Sequence, residues 1–547
     1  MGPVPARLAG SRAVVGRAHG VWWNDPVTAE LPPPPAADDR ALVAALAADL
    51  AGVGVDEVGA LLGPLAGAAL HREQPAAALA ATRLAVAAGD PLAALTRAFV
   101  LGAPAPRGLV DRALPRAGVA GAVRLGLLRA SGEGPEDDVL GTVDLRPMAV
   151  LDDVGRATWW VASDLGSTVT HAPLAPDHVL GVGGASLSLA RLTVRRPVGR
   201  TLDLGTGCGV QALHAARHSA SVVATDLSSR ALAFARFNAA LAGVDLDLRQ
   251  GSLLEPVRGE RFDLVVSNPP FVITPRRPGD ADGRYTYRDG GMAGDSLVAS
   301  LVAGLGDVLA PGGVAQLLGN WEHRRGEGWS ARVGSWLDAS GLDGWVVQRE
   351  VLDPAEYAET WLRDGGESRD RDPAAWDAAV GLWLEDLTAR GADAVGLGFV
   401  VLCRPLDDAP GRARLRRLEE QHGPVAGPLG PHVADVLAAH DLLSRLDDAA
   451  LLATRLVVAP DVTEERHLRP GEEGPRVVLL RQGGGFGRVV DAGTALAGLV
   501  GACDGELAVG QLVGGLAALL EVPADALAAE LLPQVRALVA DAMLLPA

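Results

Sequence analysis

Thr201-Leu202-Asp203-Leu204-Gly205-Thr206-Gly207-Cys208-Gly209-Val210-Gln211 is the stretch whose reading decides the fold. A short apolar run ends in an acid, passes through three alternating glycines and enters helical text. Glycines let the backbone turn tightly between a strand and a helix, and let a ligand approach the amides there. A second acid, Asp226, closes the next apolar run, Val222-Val223-Ala224-Thr225. An acid about 20 residues after the first glycine suits bidentate hydrogen bonding to a ribose diol. Outward from this pair, strand-like segments at 201–204, 221–225, 246–249, 262–267, 314–318, 345–351 and 395–402 alternate with helical ones. Such alternation predicts an α/β, Rossmann-like, mostly parallel sheet with helices on both faces, over residues 150–405.

The flanks read differently. Residues 1–38 form an extension ending in Leu31-Pro32-Pro33-Pro34-Pro35, a stiff linker that excludes helix and inner strand. Residues 39–149 are Ala/Leu-rich helical text followed by a strand-like run, Val139-Leu140-Gly141-Thr142-Val143-Asp144-Leu145. Residues 406–547 open on a charged run from Arg412 to Glu420, read as a helix start or a solvated linker. They continue with helices and a hairpin, 476–480 with 487–490, around Gln482-Gly483-Gly484-Gly485-Phe486. A glycine run between two strands is a hairpin turn, not a phosphate loop. Both flanks are expected to be winged-helix-like α+β modules.

Composition narrows the chemistry. All 49 basic residues are arginine, which removes Schiff-base chemistry and the phosphate-loop lysine. A net charge of -18 argues against a sequence-blind nucleic-acid binder. Cys208, Cys403 and Cys503 are scattered, so neither a zinc knuckle nor a disulfide framework is supported, and a reducing cytoplasm fits. The beginning of the chain lacks a signal-peptide layout. No apolar run reaches the ~20 residues of a membrane helix. The helical stretch 41–70 is broken by Asp49, Asp56 and Glu57.

The glycines follow G-x-G-x-G, not the G-x-G-x-x-G of dinucleotide sites, which counts against a dehydrogenase. More telling is Phe262-Asp263-Leu264-Val265-Val266-Ser267-Asn268-Pro269-Pro270-Phe271. A buried strand delivers this Asn-Pro-Pro-aromatic turn to the carboxyl edge of the sheet, where ligands bind in such folds. Two prolines stiffen the turn, Asn268 Oδ1 and the Pro269 carbonyl accept hydrogen bonds, and Phe271 offers a flat face. These groups suit a planar NH2, whose delocalised lone pair makes it a poor nucleophile. Holding its two hydrogens aims the nitrogen at a methyl donor, so catalysis rests on positioning and electrostatics.

In this order, these motifs resemble the class I S-adenosylmethionine-dependent methyltransferases of the small-domain group. That group includes release-factor glutamine, ribosomal RNA guanine-N2 and adenine-N6 methyltransferases. The resemblance implies a seven-stranded sheet with its last strand antiparallel, S-adenosyl-L-methionine as cofactor and no metal. It implies a cofactor site of Asp203, Gly205, Thr206, Gly207, Gly209, Asp226, Leu227, Ser252, Leu253 and Asn268, and a catalytic turn of Asn268, Pro269, Pro270 and Phe271. Asn238 also fits the group's helix after the ribose-binding acid. The segment Asn268-Pro269-Pro270-Phe271-Val272-Ile273-Thr274-Pro275, with Gly290-Gly291-Met292-Ala293-Gly294-Asp295, is most similar to the glutamine-methylating branch. Two positions depart: Ser252 stands where the group has an adenine-binding acid, and Phe271 where glutamine methylators carry Tyr.

The expected acceptor is therefore a macromolecule. A protein glutamine amide, as in a translation factor or ribosomal protein, is favoured slightly over an RNA or DNA base. A cofactor-binding regulatory module is the non-enzyme alternative. A dehydrogenase is the remaining rival, which titration of NADH against S-adenosylmethionine would settle. Among weaker candidates, Arg276, Arg277, Arg284 and Arg288, interleaved with Tyr285 and Tyr287, would grip phosphate or an acidic segment, unless Asp280, Asp282 and Asp289 balance them. Asn320-Trp321 and Glu359-Thr360-Trp361 would line the acceptor pocket or pack as core. Cys208 reads as a small filler, and His214 and His218 as packing or surface residues.

Overall fold

The structure is a computed structural model that describes residues 31–152, 154–276, 288–406, 412–423, 425 and 427–547. Residues 33–547 form one compact unit, and it alone is considered below. Most of the expected N-terminal extension, and Arg277, Arg284, Tyr285 and Tyr287, lie outside the described residues.

The centre is an eight-stranded sheet. Its strands in chain order are β1 (Val198–Leu204), β2 (Ser219–Asp226), β3 (Asp247–Gln250), β4 (Phe262–Ser267), β5 (Leu309–Arg324), β6 (Asp343–Leu352), β7 (Ala392–Cys403) and β8 (Arg416–Glu420). They lie in the order β8-β6-β7-β5-β4-β1-β2-β3. β7 runs antiparallel to both its neighbours, and every other pairing is parallel. β4 is buried almost along its length, as a central parallel strand covered on both faces must be.

The expected seventh strand is thus present and reversed, but the sheet carries one strand more than expected. The run 412–420, read as a helix start or solvated linker, is the reason. Arg416 to Glu420 pairs in register with Gly344 to Gln348 of β6. Arg412 is buried at its entrance, its guanidinium 2.8 Å from Asp343 and 2.7 Å from Asp441. Charge alone reads as solvent-facing, whereas these arginines find carboxylates on other elements.

Helices α1 (Gly184–Leu192), α2 (Val210–Ala215), α3 (Ser229–Ala242), α4 (Ser296–Gly304), α5 (Trp329–Ser340), α6 (Pro354–Asp364) and α7 (Pro373–Ala389) accompany the sheet. Both flanks are α+β. The N-terminal flank has six helices between Arg40 and Arg124 and a three-stranded antiparallel sheet. Ala36 N–H bonds the Leu125 carbonyl at 2.9 Å, so the end of the proline run is fastened to this flank. The run 139–145 is not one strand. Asp138–Gly141 joins the small sheet, and Asp144–Asp152 pairs with Gly155–Ser163 in a separate hairpin spanning residue 150. That hairpin links two regions: Trp160 Nε1 donates to the Val53 carbonyl, and Ala162 pairs with Asn238 of α3.

In the C-terminal flank Val477–Gln482 pairs with Val489–Asp491, the hairpin expected there. Its glycine turn is filled from within, because Asp461 takes the Gly483 and Gly484 amides. Among the described residues, no helix is long and apolar enough to cross a membrane.

Candidate functional site

β1 ends at Leu204, one residue past Asp203, and the chain turns through Gly205, Gly207 and Gly209, with φ of 73°, 55° and 88°. All three lie in the left-handed region, which glycine adopts without strain. A Cβ on Gly209 would sit 3.2 Å from Ala235 of α3, so the third glycine serves close packing of loop on helix. Four of the five loop amides are not left for a ligand, as the sequence had suggested. Gly205 and Thr206 N–H both bond the Thr225 carbonyl, Gly207 N–H bonds Asp226 Oδ2 at 2.9 Å, and Gly209 N–H bonds the Thr206 carbonyl. The loop is therefore a preformed rim whose glycines offer space.

Asp203 is buried at 1% exposure. Its Oδ2 accepts the Thr206 hydroxyl at 2.6 Å, and its Oδ1 is buried with no partner. Burial pushes its carboxyl up to about 7, with the Asp226 charge adding to the effect against the Thr206 hydrogen bond. Asp226 ends β2, takes Gly207 N–H on Oδ2 and takes Ser228 N–H on Oδ1 at 2.8 Å. Each oxygen keeps acceptor capacity for a diol. Burial raises this carboxyl too.

Asn238 is buried and fully used. Its Oδ1 takes Ala162 N–H at 2.8 Å, and its Nδ2 donates to the Ala162 carbonyl at 2.9 Å and to the Cys208 carbonyl at 2.8 Å. It pins the glycine loop to the hairpin. Cys208 is buried, with its thiol pushed up to about 12 by desolvation, as suits a filler. His214 packs edge-on against Trp159 at 5.2 Å, and desolvation lowers its imidazole to about 4.

β4 delivers the second half of the site. Ser267 Oγ donates to the Leu204 carbonyl at 2.7 Å, tying the ends of β4 and β1 together. A Cβ on Gly205 would lie 3.9 Å from the Asn268 carbonyl, so glycine loop and Asn-Pro-Pro turn are neighbours. No hydrogen bond ties the Asn268 side-chain amide to another described residue. The Pro269 carbonyl accepts Phe271 N–H at 2.8 Å and retains a second lone pair. Beyond the turn, Phe271 bridges Asp289 and Val272 N–H bonds the Arg288 carbonyl.

One cavity of about 700 Å³ is lined by both halves at once, within the range of small-molecule sites. Asp203 is not among its lining residues. Gly205, Thr206, Gly207, Asp226, Leu227, Ser252 and Leu253 line one part, and Asn268, Pro269, Pro270 and Phe271 another. Gly209 is absent from the lining, in keeping with its packing role. Leu253 holds φ of 47°, a left-handed conformation costly for a residue with a side chain.

Sequence reasoning missed the wall within residues 178–186, where Gly181 and Gly183 precede α1, Gly184 opens it, and Gln211 Nε2 donates to the Ser186 carbonyl at 2.7 Å. That glycine-rich text before a helix was the available signal. Of the arginine loop, Arg276 is spent on Asp289 at 2.9 Å, and Arg288 is buried against the Trp361 carbonyl and Asp364. Both brace the site's own backbone. Asn320 and Trp321 are core, bonded to Tyr357 and Gln348, whereas Trp361 does line the cavity.

The geometry fits a nucleoside donor with a cationic end. Asp226 keeps acceptors open, Asp203 Oδ1 is orphaned, and a Cβ on Gly207 would meet nothing within 4 Å. Residues 183–278 match the family described as Methyltransferase small domain. Two domains of unknown function, DUF7059 and DUF7782, match residues 50–138 and 435–546. The release factor glutamine methyltransferase of Xylella fastidiosa is 36% identical over 203 residues, 36% of this chain and 69% of that protein. That of Deinococcus radiodurans is 44% identical over 22% of this chain and 44% of that protein. The ribosomal protein uL3 glutamine methyltransferase of Bradyrhizobium diazoefficiens is 32% identical over 32% of this chain and 59% of that protein. With the glycine loop, the ribose-type acid and the Asn-Pro-Pro-Phe turn around one cavity, the chain belongs to the S-adenosylmethionine-dependent methyltransferases of the small-domain group.

Proposed function

We propose that this enzyme methylates the side-chain amide nitrogen of a glutamine in a protein acceptor. The observation that carries the reading is the single cavity shared by the glycine loop and the Asn268–Phe271 turn. Asp226 would hold the donor's ribose, and Asp203 would face its cationic end. Gly205, Thr206, Gly207, Leu227, Ser252 and Leu253 would shape the remaining wall, with Gly209 setting the loop on α3. S-adenosyl-L-methionine supplies an activated methyl group on a sulfonium.

The chain's own residues do the positioning. Asn268 Oδ1 accepts one amide hydrogen and the free lone pair of the Pro269 carbonyl accepts the other. Pro270 stiffens the corner, and Phe271 offers a face to the amide plane. Held so, the nitrogen lone pair is withdrawn from conjugation and aimed at the methyl group that a bound donor would supply. Positive charge then moves onto nitrogen, where two fixed carbonyl dipoles stabilise it. The proton leaves to water afterwards, so no side-chain base is needed.

The named activities of the relatives, on release factors and on ribosomal protein uL3, support a translation component as acceptor. Three free, buried cysteines agree with a reducing cytoplasmic setting. As part of the same proposal, the flanks divided near residues 38, 149 and 405 act as winged-helix-like modules that recruit the acceptor. The test is transfer of labelled methyl into a cell extract, followed by separate protease and nuclease digestion. Release by protease is expected, and release by nuclease would replace glutamine with an RNA or DNA base. Asn268→Ala should lower turnover about 100-fold or more, as loss of one preorganised partner does. It should weaken S-adenosylhomocysteine binding, read by calorimetry, far less than turnover.

A further inference from the structure

Antiparallel neighbours need only a tight turn between them. β6 and β7 are such neighbours, yet residues 353–391 join them through α6 and α7. Topology does not require this detour, and its residues converge on the catalytic corner. Tyr357 of α6 is completely buried, and its hydroxyl accepts Ile273 N–H at 3.0 Å and Asn320 Nδ2 at 2.7 Å. Ile273 lies two residues beyond Phe271. One helical turn on, Trp361 stands edge-on to Phe271, centroids 6.2 Å apart at 74°, and lines the cavity. Its carbonyl takes the Arg288 guanidinium, and Arg288 belongs to the segment that pairs with Phe271 and Val272. The insert thus grips the chain on both sides of the Asn-Pro-Pro-Phe turn.

We propose that this helical insert selects the acceptor, with Trp361 as its specificity-determining residue, an inference that rests on the amide-methylation reading above. Trp361 fixes the lie of the Phe271 ring and closes the acceptor side of the cavity. An indole set edge-on against Phe271 takes up aromatic surface that a bicyclic base would need for stacking. A side-chain amide, far smaller, still fits beside it. The substrate class is then a primary amide on a polypeptide, and the insert excludes nucleobases by bulk.

The test uses the full chain, labelled S-adenosylmethionine, and the protein and nucleic-acid fractions of one cell extract as separate acceptors. Trp361→Ala should lower kcat/KM on the protein fraction about 10- to 100-fold, the scale of misplaced reacting groups. Trp361→Phe should restore most of it. S-adenosylhomocysteine affinity, read by calorimetry, should stay constant in both variants. Should the alanine variant unfold, Trp361→Leu carries the same test, being bulky and apolar without an aromatic ring. Undiminished protein methylation by Trp361→Ala or Trp361→Leu overturns the inference alone, as does a parallel loss of S-adenosylhomocysteine binding. Label entering only nucleic acid with the unaltered enzyme overturns the amide reading and the inference together.

Discussion

On the proposed reading, single residues would carry the chemistry through what they leave unpaired. Among the described residues, one buried Asp203 oxygen has no hydrogen-bond partner and no hydrogen bond ties the Asn268 side-chain amide. Asp203 makes the ligand-free enzyme sensitive to pH. Its folded carboxyl titrates near 7 and an unfolded one near 3.8, so between those values the folded chain binds the extra proton. Stability of the ligand-free protein should therefore fall as pH rises through that window, and the full penalty applies above it. At about 1.4 kcal/mol per unit, the cost is at most about 4 kcal/mol. Asp203→Asn should flatten the profile and raise the melting temperature at neutral pH, measured by thermal denaturation from pH 4 to 8 without ligand. An unchanged slope would mean that Asp203 is ionised in the empty site. The sequence singles out both positions because each sits at a strand end beside glycine or proline. Asn238 was legible only as a motif position. Its hydrogen-bonding partner Ala162 is 76 residues away, beyond the reach of any local pattern.

Among the elements, β7 shows how glycine builds a sheet around large side chains. Gly396 and Gly398 alternate on one face, and a Cβ on Gly398 would lie 2.0 Å from the Val347 carbonyl and 2.9 Å from the Trp321 ring. The space they leave admits Trp321, whose Nε1 donates to Gln348 at 2.7 Å. Gly398→Ala has no flexible group to push aside, because the nearest atom is backbone of β6. It should cost about 3 kcal/mol, at the upper end for overpacking, read as a lower urea midpoint. Apolar runs and turn glycines were enough to place the strands from β1 to β7. They were not enough for β8, since five residues rich in charge carry no period-two apolar signal. The partners that neutralise those charges, such as Asp541 for Arg417 and Arg488 for Glu419, come from distant elements.

Across the molecule, the C-terminal flank is locked to the central sheet by packing as well as charge. A Cβ on Gly430 would fall 2.1 Å from the Thr193 carbonyl, where the helix Gly430–Leu443 meets the end of α1. Phe486 from the glycine turn stacks on Phe399 of β7, centroids 6.3 Å apart. Gly430→Ala should cost about 1–3 kcal/mol and loosen the flank, so that unfolding in guanidinium loses cooperativity and its slope decreases. Tryptophan fluorescence and circular dichroism, coincident in the parent protein, should then separate. The chain's local text was sufficient for the alternating α/β core, the glycine loop, the second acid and the Asn-Pro-Pro-Phe corner. Each of these is written in neighbouring residues, through strand period, φ requirements and turn stiffness. Tertiary structure alone decided that loop and corner open onto one cavity, that four of the five loop amides are consumed internally, that an eighth strand extends the sheet, and that α6 leans on Phe271. Those facts depend on which distant groups meet, and burial and pairing between remote segments leave no periodic trace in the chain.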